Sequence, residues 1–82
     1  MYYVYLLYSS TNKKYYIGTT PDVEKRLKLH NGGKNLATKS GIPWQLLYYE
    51  AYINENDAYR RERSLKHYGQ GLRRLKERIT LE

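Results

Sequence analysis

From Tyr2 to Tyr8 every side chain is apolar or aromatic. On a strand, alternation puts Tyr3, Tyr5 and Leu7 on one face and Tyr2, Val4, Leu6 and Tyr8 on the other. A strand with two apolar faces is covered on both sides and belongs at the centre of its sheet. The polar stretch Ser9-Ser10-Thr11-Asn12-Lys13-Lys14 that follows is a turn. A second strand runs from about Lys14 to Thr19, with Tyr16 and Gly18 on one face and Tyr15 and Ile17 on the other. Trp44 to Tyr52, WQLLYYEAY, has the aromatic character of a third.

The pattern between and after these strands has the helical period. Thr20-Pro21-Asp22 reads as a start, with threonine as cap, proline at the first helical position and aspartate favouring the dipole. Asn31-Gly32-Gly33 reads as a stop. Val23, Arg26, Leu27 and His30 fall on one face, and Glu24, Lys25 and Lys28 lie off it. Residues 32–43 read as a loop, in which Lys34, Thr38 and Lys39 are candidates to touch a phosphate backbone. Asn54 opens a second helix that runs to Tyr68 and stops at Gly69, with Asp57 completing a variant capping box. Its inward stripe is Ala58, Glu62 and Leu65; Arg60 and Arg63 face solvent, and Arg61 lies at the edge. After Gly71 a third helix carries Leu72, Leu75 and Ile79 on one face. The order is β-β-α-β-α-α, which predicts an α+β fold.

Length and charge narrow the classes. Eighty-two residues predict a single domain, 1–82, with one modest core. Fifteen lysines and arginines against eight acids leave a net charge of +7. That surplus points to an anionic partner, nucleic acid first and an anionic membrane surface second. No apolar run is long enough for a membrane span and no signal-peptide pattern follows Met1. Without cysteine there is no disulfide framework and no thiolate metal site, which fits a cytoplasmic protein. Eleven tyrosines, one tryptophan and no phenylalanine put hydroxyl groups throughout the sheet, and each buried one needs a partner.

Polarity in inward positions is the informative feature. Arg26, His30 and Glu62 all fall on core-facing stripes, and a buried charge without a partner is costly. One solution is a structural Glu62–Arg26 ion pair, with His30 as a cation at a helix C-terminus. The other is a site for phosphodiester hydrolysis. There Arg26 grips phosphate oxygens with its guanidinium fork. Glu62 holds Mg²⁺, which keeps most of its waters. A tyrosine hydroxyl, ordinarily near pKa 10, is drawn towards the phenolate by a neighbouring metal or guanidinium. Tyr5 then takes a proton from the attacking water, while Tyr16 and His30 orient water or phosphate.

These residues carry a resemblance to the GIY-YIG nuclease superfamily, and more closely to its small stand-alone bacterial branch. Tyr3-Val4-Tyr5 stands where the family has Gly-Ile-Tyr, and Tyr16-Ile17-Gly18 matches the second half of the signature. Arg26 and His30 form the Arg-x-x-x-His pair, and Glu62 is the helix glutamate. The resemblance covers nearly the whole chain. It implies a three-stranded antiparallel sheet flanked by helices and metal-dependent cleavage of DNA, in repair or on branched or single-stranded substrates. The implied catalytic set is Tyr5, Tyr16, Arg26, His30 and Glu62. Glu62 is the ligand of Mg²⁺ or Mn²⁺. Arg61 and Lys66 join Lys34, Thr38 and Lys39 as nucleic-acid contacts. Many members also carry an active-site asparagine after the glutamate; here none follows Glu62, and Gln70 and Lys66 are the candidates to replace it. The competing expectations are a non-catalytic nucleic-acid-binding module on the same fold and, further off, a protein-interaction domain.

Overall fold

The computed structural model describes residues 1–67 and 69–79. Strands β1 (Tyr2–Ser9), β2 (Tyr15–Thr20) and β3 (Trp44–Tyr52) form one antiparallel sheet in the order β2-β1-β3. Helix α1 (Val23–Asn31) follows β2, and helices α2 (Glu55–His67) and α3 (Gly69–Arg78) follow β3. The doubly apolar β1 is central, as its pattern requires, and the fold is the α+β arrangement expected.

Each face of the sheet has its own cover. Val4, Leu6 and Ile17 pack with Ala58 and Leu65 of α2 and Leu75 of α3. Leu72 and Ile79 join that cluster, so the apolar stripe of α3 is used as its spacing predicted. On the opposite face Tyr5, Leu7 and Trp44 pack with Val23 and Leu27 of α1. The register of β1 against β3 shifts between Leu6 and Leu7. A bulge adds one residue and reverses the alternation beyond it. Trp44 and Leu46 therefore share the α1 face with Tyr49, whose ring meets Tyr3 edge-on.

Four local expectations are corrected. Thr20 is the buried last residue of β2 and not a cap: Asp22 caps α1, its carboxylate accepting from the Lys25 amide at 3.0 Å. Residues 32–43 are not all loop, because Leu36–Gly41 form a 3-10 helix capped by the Asn35 side chain. Asn54 caps α2 by accepting from the Asn56 amide at 2.8 Å, while Asp57 turns to Arg60 and closes no capping box. Helix α3 begins at Gly69, three residues early, and contains Gly71, over which Leu65 packs. The predicted end of α2 at Tyr68 lies outside the described residues.

Candidate active site

The site starts at the middle of β1. Tyr5 pairs with Gly18 across the β1–β2 ladder, and its ring lies over that glycine. A Cβ at position 18 would sit 2.6 Å from Tyr5 Cζ, so only glycine leaves the ring its path. The Tyr5 hydroxyl ends 3.0 Å from Nε2 of His30, in the last turn of α1. His30 is fully buried, and its Nδ1 lies 2.8 Å from Oγ1 of Thr38 in the 3-10 helix. Tyr16 closes the cluster, its ring centre 4.9 Å from that of His30 and 6.3 Å from that of Tyr5.

Residues outside the predicted set hold this arrangement. The Trp44 indole N–H donates to the Thr38 carbonyl at 2.7 Å, and Gly41 leaves room for the indole, 2.8 Å from Cε2 to a Cβ built there. Asn31, read from the sequence as part of a helix stop, is the last residue of α1. Its amide brackets Trp44, accepting from the backbone N–H at 2.6 Å and donating to the carbonyl at 3.1 Å. Thus α1, the 3-10 helix and β3 are locked together directly behind His30.

Arg26 lies one turn before His30 and is half-buried. Among the described residues no carboxylate pairs with it. The expected Glu62–Arg26 ion pair is therefore replaced by other partners. Thr19 donates to Glu62 Oε1 at 2.5 Å, and Lys66, one turn on, donates to Oε2 at 2.6 Å. Since β2 is an edge strand, Glu62 and Lys66 reach the site around that edge, with Lys66 Nζ 6.0 Å from the centre of the Tyr16 ring.

Electrostatics set the resting protonation. Burial, then Tyr16, pushes the Tyr5 hydroxyl up to about 12; Arg26 pulls against this and Glu62 adds to it. This reverses the expected phenolate: desolvation outweighs the guanidinium, and Tyr5 is a neutral phenol. Burial, then Arg26, lowers the pKa of His30, so the imidazole is neutral at neutral pH and not the helix-end cation of the structural alternative.

The predicted nucleic-acid contacts separate. Lys34 and Lys39 are exposed, as a phosphate contact requires. Thr38 is withdrawn: it is buried because its hydroxyl serves His30. Arg61 is engaged on the other face of the sheet, where its Nε donates to both Glu50 oxygens at 2.9 and 3.2 Å. Lys66 lies at the site, whereas Gln70 lines a cleft with Arg73, Arg74 and Glu77. Lys66 is therefore the side chain beside Glu62 where an asparagine was sought.

Among the described residues no group of three histidines or acids converges to hold a metal, so a bound ion would rest on Glu62. Its carboxylate, 20 % exposed with the Thr19 hydroxyl beside it, is a hard-oxygen donor open to solvent. That set fits a largely hydrated Mg²⁺ or Mn²⁺ completed by substrate oxygens. The Lys66 ammonium must leave Oε2 for both oxygens to be free.

The family model described as the GIY-YIG catalytic domain matches residues 1–74. UPF0213 protein YsiG of Lactococcus lactis is 43% identical over 67 residues, 80% of this chain and 64% of the relative. A UPF0213 protein of Staphylococcus haemolyticus is 36% identical over 80 residues, 94% of this chain and 96% of that one. The solution NMR structure of a UPF0213 protein from Bacillus halodurans superposes with a TM-score of 0.55 at 35% identity, covering 95% of this chain and 81% of that one. No helix among the described residues is long and apolar enough to cross a membrane. With its two signature tyrosines folded onto one histidine and its glutamate brought round the sheet edge, the chain belongs to the GIY-YIG catalytic-domain family, a family of nucleases.

Proposed function

We propose that this protein is a metal-dependent endonuclease that hydrolyses DNA phosphodiester bonds, acting in repair or on branched or single-stranded substrates. The observation that carries the reading is the Tyr5–His30 hydrogen bond between two neutral groups beside Arg26. A phenol with a raised pKa cannot wait as a phenolate base. It can accept a proton only by giving up its own, and His30 Nε2 stands ready to receive it. In the proposed step the water oxygen bonds to phosphorus as its proton passes to Tyr5 and the Tyr5 proton passes to His30. The bond to the leaving sugar oxygen breaks, and that oxygen takes a proton from solvent. Arg26, with no carboxylate partner among the described residues, binds the phosphate oxygens and offsets the charge that builds on them. Glu62, with Thr19 beside it, would hold the ion, which neutralises phosphate and leaving-group charge when bound. Tyr16 walls the cluster, and Lys34, Lys39 and the +7 charge favour the DNA backbone.

Plasmid nicking in Mg²⁺ or Mn²⁺ tests this directly. Wild-type protein is expected to nick, and Arg26→Ala and Glu62→Ala to lose that activity; equal cutting by the variants rejects the site. The Lys66–Glu62 pair favours a second reading, a DNA-binding module whose carboxylate is already neutralised. Salt-dependent DNA binding in wild type and both variants, with no nicking by any, selects it.

A further inference from the structure

We infer that Thr38 is a positioning residue that fixes His30 in the Nδ1–H tautomer, leaving Nε2 bare to receive the Tyr5 proton. The inference rests on the nuclease reading for its purpose, but the tautomer itself is a property of the free protein. Two separate proton counts bear on it. The first is at Thr38, whose hydroxyl has one proton and two acceptor sites. The Asn35 carbonyl, 3.3 Å away, can only accept, and a Thr38 proton directed there leaves Oγ1 free to accept from His30 Nδ1 at 2.8 Å.

The second count is at Tyr5. The residue is only 2% exposed; Arg26 beside the hydroxyl can only donate, and among the described residues the acceptor within hydrogen-bond distance of it is His30 Nε2. Were Nε2 protonated, it would donate to Tyr5 and leave the phenol proton buried without an acceptor, which folded proteins avoid. The proton on Tyr5 therefore points at Nε2. Both ends of the imidazole give the same tautomer, and the direction of donation runs from Tyr5 through His30 to Thr38 and Asn35.

Thr38 earns this role through its place in the 3-10 helix. Asn35 caps that helix, the Thr38 amide bonds back to the Asn35 carbonyl at 3.2 Å, and the Trp44 indole holds the Thr38 carbonyl. The hydroxyl is thus fixed by backbone on one side and an indole on the other, eight residues from the histidine it orients.

Nitrogen NMR of the imidazole, without metal or DNA, reads the tautomer in a His67→Gln background that leaves one histidine. The Nδ1–H form is expected in otherwise wild-type protein at neutral pH; an Nε2–H form overturns the proposal. Thr38→Val removes the acceptor at Nδ1 while Tyr5 still donates at Nε2, and is expected to bring in the Nε2–H form beside Nδ1–H, while Thr38→Ser retains Nδ1–H alone. An unchanged tautomer in Thr38→Val overturns the role of Thr38. If Thr38→Val does not fold, Thr38→Ala is read in the same way. Nicking is expected to fall about 10- to 100-fold in Thr38→Val and to recover in Thr38→Ser, the size usual when a supporting partner is lost. Absence of nicking in every protein with the tautomers as stated rejects the nuclease reading and leaves the positioning role standing.

Discussion

Along β1, Val4 and Leu6 turn to α2 and α3, while Tyr5 and Leu7 turn to α1. The first pair enters an aliphatic cluster with Ile17, Ala58, Leu65 and Leu75. The second enters a face that also holds His30 and Thr38, both buried and both hydrogen-bonded. The aliphatic face gains its stability from area removed from water, which has no direction. The α1 face must satisfy each buried polar atom individually, and it does so without a remaining orphan among the described residues. One strand thus supplies both a non-directional core and a directional network, and substitutions on the two faces should separate folding from activity.

The widest separation is expected at Tyr5. Tyr5→Phe keeps the ring over Gly18 and removes the group that passes the proton. Cleavage should fall about 10²- to 10⁴-fold, the usual contribution of a positioned acid or base. The variant also leaves His30 Nε2 without its partner, at a cost of about 1–3 kcal/mol. Single-turnover cleavage beside thermal unfolding checks both. Cleavage reduced less than about tenfold while the fold is intact would remove Tyr5 from the chemistry.

Leu6→Ala is the counterpart on the other face. Leu6 is buried against Ile17 and Leu65, and truncation removes its contacts and leaves a cavity. The expected loss is about 2–5 kcal/mol, with Tm lowered by about 4–8 °C for each of them. Cleavage per folded molecule should be unchanged. A variant of near wild-type Tm that cuts poorly would mean that the aliphatic face also positions the site.

This division explains how much was legible in the sequence. β3 is legible to its ends, because an aromatic run between Pro43 and the helix-capping Asn54 is a local signal. Arg26, His30 and Glu62 stand out because polar groups on apolar stripes violate periodicity, and Tyr5 and Tyr16 because they stand in the two signature tripeptides of the aromatic hairpin. Thr38 does not, since a threonine in a polar stretch looks solvated until the 3-10 helix folds it onto α1. Thr20 and Asp22 could each cap a helix; pairing of Thr20 with Tyr3 in the sheet decides between them. Arg61 and Lys66 were alike as basic residues of α2, yet one meets Glu50 and the other Glu62, a distinction that depends on where the sheet ends.

Acid should act on the polar face through His30. Its folded pKa is lowered by burial and by Arg26, while unfolded it returns to the usual 6.5. Below that value the unfolded chain binds a proton that the native site resists, so stability falls as pH drops from 6.5 towards the folded pKa. Tyr5 behaves oppositely: its pKa is raised from 10.0 to about 12, so its contribution is complete below 10 and lost on rising through 12. His30→Gln should flatten the acid limb of a stability–pH curve and leave the alkaline limb in place. An acid limb unchanged by that substitution would assign the sensitivity to other groups.

The smallest effect is expected where the two faces meet, at the edge of β2. Lys66 is 45 % exposed, so its bond to Glu62 contributes little after solvent screening, about 0.2–1 kcal/mol. It nevertheless occupies the oxygen that a metal ion would use. Lys66→Met should therefore tighten Mn²⁺ binding by about fivefold or less, the factor that such an energy allows. The same change removes a cation beside the proposed phosphate position. DNA affinity should fall, and the slope of log affinity against log salt should decrease by about one. Opposite movements of metal and DNA affinity identify Lys66 as a counter-ion shared between carboxylate and phosphate. A loss of both would make it a support for Glu62, held against Thr19 as part of the fold.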